Sequence, residues 1–257
     1  EAALTVLDTH GGAGLYRLDG DYASKSGEAE DGIMRLVAAK ESELAPILQN
    51  YMQMVRSFNQ GNAIRNYPGS PFITQALLRG HDRLKAFELH PTDMRPLAGN
   101  MAQLEVPRQV NILMEDGFEG VKKFLTPPSR RALLLCDPSY ELKTDYGRVL
   151  DMVADSLKRF PTGTYAVWYP IIPRPDAHDL PKRLKTMATK AGKSWLHATL
   201  TVKSNKTSER GGLPASGMFL INPPFNLKEQ LKPAMPQLVK LLGQDENAAF
   251  TLESGGK

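Results

Sequence analysis

In this chain, carboxylates, glycines and an aromatic repeatedly come directly after short apolar runs, the place where a sheet delivers side chains to a ligand. Asp8-Thr9-His10-Gly11-Gly12-Ala13-Gly14 follows Leu4-Thr5-Val6-Leu7. A buried strand there opens into a glycine-rich turn whose backbone can approach a ligand without Cβ clashes. Asp137-Pro138-Ser139-Tyr140 follows Ala132-Leu133-Leu134-Leu135-Cys136. A carboxylate, a rigid proline and an aromatic at a strand's end can grip a planar base that carries an amino group. Together the two segments point to a methyl donor held beside an amino acceptor.

The elements that must position these groups alternate short β-rich runs with helical stretches, which predicts an α/β domain with a mostly parallel sheet. Strands are expected at 4–7, 84–89, 110–114, 132–136, 164–169, 194–203 and 218–221. Helices are expected at 146–159, 180–191 and 227–242. The last two strands, after a Gly192 turn and around Gly211-Gly212-Leu213-Pro214, read as a final hairpin. The glycine turn lacks the G-x-G-x-x-G spacing of nicotinamide-binding folds. It fits instead the D/E-x-x-x-G-x-G form of class I methyltransferases through Asp8, Gly12 and Gly14. Acidic groups then recur in order at successive strand ends: Glu88, Asp116 beside Gly117, and Asp137. In open α/β sheets ligands bind at that carboxyl edge. Glu88 follows Asp8 by 80 residues, where about 20 is usual, so a small helical insertion is expected at about 21–66. The helix that normally follows the glycine turn is then displaced to 71–79.

A second segment, Asn222-Pro223-Pro224-Phe225, fits the amino-methyltransferase signature [DN]-P-P-[YF] better than Asp137-Pro138-Ser139-Tyr140 does. Strand order favours Asp137, which ends the fourth strand beside the glycine turn. Asn222 ends the seventh and is read as a strand exit.

Composition restricts the possibilities. With 257 residues, 41% hydrophobic and 23% charged, the chain suits one sizeable core. No apolar run approaches the ~18 residues of a membrane span, and a cytoplasmic location is expected. The single Cys136 excludes an internal disulfide and reads as buried packing. The five histidines, His10, His81, His90, His178 and His197, lack ligand spacing, so no metal is expected. Residues 130–210 carry fifteen Lys or Arg and eight Asp or Glu, a surplus of +7, while the rest of the chain carries −3. A nucleic-acid face is expected on that basic half, which includes Arg130, Lys158, Lys182, Arg183, Lys185 and Lys193.

At this breadth of motifs the chain resembles the bacterial 23S ribosomal RNA adenine-N6 methyltransferase J family, once described as proteins of external DNA catabolism. The match is carried by Leu7-Asp8-Thr9-His10, Tyr67-Pro68-Gly69-Ser70-Pro71, Glu88-Leu89-His90-Pro91, Asp116-Gly117-Phe118 and Asp137-Pro138-Ser139-Tyr140-Glu141. It continues through Lys143-Thr144-Asp145-Tyr146, Gly163-Thr164-Tyr165-Ala166-Val167-Trp168-Tyr169-Pro170 and Ala215-Ser216-Gly217-Met218. The resemblance implies a Rossmann-like class I fold with a seven-stranded mixed sheet and flanking helices. It also implies S-adenosylmethionine contacts at His10, Ser70, Glu88, Asp116 and Gly117, with Asp137 catalytic. Ser139 departs from the family's proline. The family also carries a Tyr-, His- and Lys-bearing segment ahead of the first strand; the sequence starts at Glu1, three residues before that strand, and is expected to be incomplete there.

The chemistry that follows is methyl transfer to the exocyclic N6 of an adenine in 23S ribosomal RNA, naked or partly assembled. The Asp137 carboxylate and the Pro138 carbonyl would accept the amino hydrogens, and Tyr140 would stack on the base. A paired base must first be flipped out. Neither a metal nor a membrane is expected to take part, and a monomer is favoured. The alternatives are a DNA adenine-N6 or other amino methyltransferase, and a non-enzymatic nucleic-acid-binding protein linked to use of external DNA.

Overall fold

The run Val6-Leu7-Asp8 sits at the middle of the sheet because apolar side chains on both faces can be covered there: all three residues are buried, and the strand is paired in parallel on both sides. The computed structural model describes residues 1–18, 27–204 and 212–256. In chain order, β1 (Thr5–Asp8) leads through the glycine turn into a short β2 (Leu15–Arg17). Helices α1 (Glu28–Asp31), α2 (Ile33–Ala38) and α3 (Pro46–Ser57) follow, then β3 (Asn66–Pro68), which pairs antiparallel with β2. Next come α4 (Ser70–Leu77), β4 (Arg83–Phe87), α5 (Pro91–Ala102), β5 (Val110–Leu113), α6 (Gly117–Phe124), β6 (Ala132–Cys136) and α7 (Thr144–Arg159). The chain closes with β7 (Thr164–Pro170), α8 (Pro175–Lys190), β8 (Trp195–Thr201), β9 (Ala215–Ile221), α9 (Leu227–Leu242) and β10 (Ala249–Gly255).

The main sheet has the order β10-β8-β9-β7-β6-β1-β4-β5. Strands β5, β4, β1, β6 and β7 are parallel, whereas β9 runs antiparallel to both β7 and β8. This is the class I methyltransferase architecture, with eight strands in the main sheet rather than the seven expected. The extra strand, β10, is an edge strand paired only with β8 and largely exposed. Its sequence Ala-Phe-Thr-Leu-Glu-Ser-Gly therefore carries little of the apolar alternation by which strands are recognised. The β2–β3 pair, only three residues a side, also left no periodic signal.

Helices cover both faces, as a parallel sheet requires. On one face α7 sets Val149, Leu150, Val153 and Leu157 on a single stripe against Leu134, Cys136 and Tyr165. Burying each such aliphatic side chain contributes about 1.5–3 kcal/mol. On the other face Phe72, Leu97 and Met101 pack on Val6, Leu84 and Ala86. The helices between β2 and β3 form a third cluster around Leu48, Met52 and Val55, closed by Ala234 of α9. The expected start of the insertion, Asp21, lies outside the described residues, as do Lys206 and Arg210 of the basic half and Gly211 of the expected hairpin loop. No described helix is long and apolar enough to cross a membrane.

Candidate active site

The parallel register lines up the ends of β1, β4, β5 and β6, so Asp8, Glu88, Asp116 and Asp137 share one edge of the sheet. Glu88 ties two pieces of backbone together there. Its Oε2 accepts the Gly12 N–H at 2.8 Å, and its Oε1 accepts the His90 N–H at 2.7 Å. Each carboxylate oxygen has a second lone pair, so the group remains able to accept two hydroxyls from a vicinal diol.

The glycine turn is built for close approach. Gly12 and Gly14 adopt φ of 57° and 76°, a region open to glycine at little cost. A Cβ at Gly12 would lie 2.4 Å from Tyr16 Oη, and one at Gly14 would lie 2.5 Å from Leu97 Cδ1. The Gly11 N–H donates to the Phe87 carbonyl and the Gly69 N–H to the Gly14 carbonyl, so the turn is held from both sides. Ser70, at the start of α4, follows directly and its hydroxyl faces Asp8. At Gly117 a Cβ would come within 2.0 Å of the Thr9 carbonyl oxygen, so the amino end of α6 abuts the turn with no room for a side chain.

The electrostatics of this edge are dominated by carboxylates. Asp8 is fully buried. Burial pushes its pKa up to about 6, opposed by the Ser70 hydroxyl and the His10 N–H and reinforced by Glu88. Its Oδ2 has no hydrogen-bond partner. Asp137 is exposed to solvent, yet the protein packed around it and the neighbouring Asp8 raise it to about 7. At Asp116 burial alone would raise the pKa, but Arg148 at 2.5 Å and the Phe118 N–H at 2.9 Å hold it below the usual range. Burial lowers His10 to about 4, so the imidazole is neutral, held by Thr9 Oγ1 at 2.7 Å and set edge-on to Phe118.

These residues fit S-adenosylmethionine. An unpartnered buried carboxylate oxygen and a surplus of negative charge suit a ligand bearing a sulfonium and an ammonium, and the two free lone pairs of Glu88 suit its ribose. A neutral His10 adds no repulsion. Among the described residues no three His, Cys, Asp or Glu side chains converge as metal ligands.

Tyr140 is placed differently from the sequence expectation of a ring lying over the base. It is 2% exposed, its hydroxyl donates to the Trp168 carbonyl at 2.6 Å, and its ring packs on Tyr146 at 4.7 Å. Its φ of 56° is unusual for an aromatic residue. What Tyr140 does here is fix the sharp turn after Asp137-Pro138, helped by Arg174, which donates to the Tyr140 carbonyl at 3.3 Å. Pro138 is buried, and the exposed Ser139 accepts the Glu141 N–H through its hydroxyl at 3.5 Å.

The register separates Asn222 from this edge. Tyr165, at the start of β7, lies opposite Ile221 at the end of β9, which puts Asn222 at the far end of the sheet. There its side-chain amide donates to the Pro161 and Gly163 carbonyls. Sequence reasoning missed Tyr16. Its ring lies between Gly12 and Gly69, and it sits in the fields of Asp93, Glu88 and Asp137. An aromatic two residues past a glycine turn was the only signal available for it. Arg148, which clamps Asp116 and lies 4.2 Å over the Phe118 ring, was equally hidden within a helical pattern.

Residues 1–253 match the family described as "Ribosomal RNA large subunit methyltransferase D, RlmJ". The ribosomal RNA large subunit methyltransferase J of Haemophilus influenzae is 38% identical over 254 residues, which is 98% of this chain and 87% of that protein. The protein of the same name from Escherichia coli is 38% identical over 232 residues, 90% of this chain and 79% of that one. The crystal structure of protein LPL1258 from Legionella pneumophila superposes with a TM-score of 0.86 at 26% identity, covering 100% of this chain and 90% of that one.

Proposed function

The chain belongs to the family described as ribosomal RNA large subunit methyltransferase D, RlmJ, and from that membership we propose that it transfers a methyl group from S-adenosylmethionine to the exocyclic N6 of an adenine in 23S ribosomal RNA. The observation that carries the reading to particular residues is the shared edge of Asp8, Glu88, Asp116 and Asp137 around a glycine turn.

Glu88 would hold the ribose hydroxyls, Asp116 and the Gly117 N–H the adenine end, and His10, Ser70 and Asp8 the part nearest the positive charge. The cofactor, when bound, supplies an activated methyl on a sulfonium. Asp137 then faces the acceptor. An adenine amino nitrogen is a poor nucleophile because its lone pair is shared with the ring, and hydrogen bonds from its two N–H groups to the Asp137 carboxylate and the Pro138 carbonyl draw it toward sp³ geometry. Asp137 would take the proton that methylation leaves in surplus on that nitrogen. Its raised pKa suits it to accept a proton near neutrality, and the solvent that reaches it carries that proton away. Tyr140 acts by holding the turn that aims Asp137. Alignment supplies most of the acceleration, since well-oriented groups reach effective molarities of about 10⁵ M or more.

The segment at about 21–66 is proposed as a helical insertion that braces the site. The hydrogen bond between the Tyr51 and Tyr67 hydroxyls, joining α3 to β3, which runs directly into the Gly69 that bonds the glycine turn, supports this. The deciding experiment is transfer of radiolabelled methyl from S-adenosylmethionine to protein-free 23S RNA from cells lacking the enzyme, with duplex DNA in parallel. Label recovered as N6-methyladenosine in RNA is expected; label in DNA alone, or in neither, overturns the reading.

A further inference from the structure

The edge of the sheet opposite the glycine turn has features that methyl transfer does not use. Phe225 is 98% exposed, whereas the other exposed large apolar residues range from 36% to 67%. It is presented by a rigid post. Asn222, at φ 52°, donates its backbone N–H to the Ser194 carbonyl and its side-chain amide to the Pro161 and Gly163 carbonyls, and its own carbonyl accepts the Thr164 hydroxyl. Two prolines then fix the path to Phe225. A phenylalanine held this firmly and this far from any packing partner is poised to meet something outside the chain.

The charge around it indicates what that is. Arg130 lies two residues ahead of β6, Lys158 is in the last turn of α7, Lys190 ends α8, and Lys193 adjoins Ser194, which grips Asn222. All four belong to the connections that enter this edge, and none makes an ion pair with another described residue. Nearby acids are already engaged: Asp155 by Arg159, Glu229 by Lys232 and Glu1 by Arg79 and Arg131. The two edges of the sheet thus differ in sign. The glycine-turn edge is acidic, which suits a cationic cofactor and repels phosphate, while the far edge is basic and carries an open aromatic face.

We propose that this far edge is a second RNA-docking surface, on which Phe225 stacks an unpaired base of the substrate RNA while Arg130, Lys158, Lys190 and Lys193 track its phosphates. This inference rests on the reading of the protein as an RNA methyltransferase. An aromatic platform beside unpaired cations is how single strands are held without sequence preference. The seven-residue β7 puts about 20 Å between the edges, a span that one structured RNA can bridge.

The test uses the whole chain with Phe225→Ala, Phe225→Trp and the pair Lys190→Glu, Lys193→Glu, the probes being a short uridine oligonucleotide and protein-free 23S RNA. Phe225→Ala should weaken oligonucleotide binding about fivefold or more, the effect of losing one stacked base. Phe225→Trp should bind like the parent, with its added fluorescence quenched by the oligonucleotide. The lysine pair should flatten the salt dependence by about 0.7 in log–log slope per lost contact. In all three, S-adenosylmethionine affinity and the rate at saturating 23S RNA should match the parent, the defect appearing as a raised KM for RNA. A parent that methylates RNA, with Phe225→Ala and the lysine pair binding both probes equally well, overturns this surface and leaves the activity standing. A parent that sediments as a dimer which Phe225→Ala dissolves overturns it in favour of a contact between copies. A parent that neither binds nor methylates RNA removes the functional reading and this inference with it.

Discussion

Truncating Glu88 tests the cofactor site most directly, because both of its oxygens are accounted for. Glu88→Ala removes acceptors from the Gly12 and His90 N–H groups, at 2.8 and 2.7 Å, and removes both acceptors proposed for the ribose. A hydrogen bond to a charged group contributes about 1.5–3 kcal/mol. Glu88 is only half-buried, so water re-solvates the freed N–H groups and the loss per bond lies at the low end of that range. Two weakened ribose contacts and a loosened glycine turn together predict a 10- to 100-fold loss of S-adenosylmethionine affinity, about 1.4 to 2.7 kcal/mol. Glu88→Gln separates the parts. Its amide has one acceptor oxygen, so one backbone N–H must face an NH₂ group whichever way it turns, and the loss should be about tenfold or less. Calorimetric titration measures both variants, and thermal melting checks that they are folded. Parent-like affinity in Glu88→Ala would refute the assignment, because no arrangement of the ribose on this carboxylate survives its removal.

Asp137→Asn keeps the shape but replaces an acceptor by a donor, so methylation should fall about 10² to 10³-fold while S-adenosylmethionine binds within about tenfold; an active variant would unseat Asp137. In the parent, Asp137 must be ionised to accept the amino hydrogens, so kcat/KM should rise with pH through about 7 on its acid limb, and a flat profile across that range would contradict the raised pKa. Raised carboxyl pKa values mean that the folded state binds protons more tightly than the unfolded chain. The stability due to Asp8 and Asp137 is therefore full below the ordinary carboxyl value of 3.8 and lost as pH rises through about 6 and 7. Ligand-free Asp137→Asn should accordingly melt above the parent at about pH 8 and converge with it toward pH 4, as differential scanning calorimetry would show. Asn222→Ala, losing two side-chain bonds at a left-handed position, should cost roughly 1–3 kcal/mol in denaturant unfolding with kcat unchanged; a dead enzyme would return the active site to Asn222. Gly117→Ala, whose Cβ would sit 2.0 Å from a backbone oxygen, should fail to fold or bind no cofactor, and a normal variant would mean that α6 does not abut the turn.

Much of the architecture was legible because its signals are local. Runs such as Leu4-Thr5-Val6-Leu7 and Ala132-Leu133-Leu134-Leu135-Cys136 mark strands covered on both faces, and a parallel sheet must present whatever follows each run at one edge. That placed Asp8, Glu88, Asp116 and Asp137 together before any coordinates. The structure alone decided what depends on partners distant in sequence. Asp137-Pro138 and Asn222-Pro223 are locally alike, each leaving an apolar strand; only the antiparallel pairing of β9 with β7 sends them to opposite edges. Tyr16 reaches the site because β2 pairs with β3 some 50 residues on, and Arg148 because α7 lies against α6. The burial of Tyr140 was hidden for the same reason, since it is set by Trp168 and Tyr146 rather than by its neighbours in the chain. The raised pKa values of Asp8 and Asp137 are likewise a tertiary property, for desolvation and like-charge repulsion exist only once the fold has buried them and brought Glu88 near Asp8 and Asp8 near Asp137.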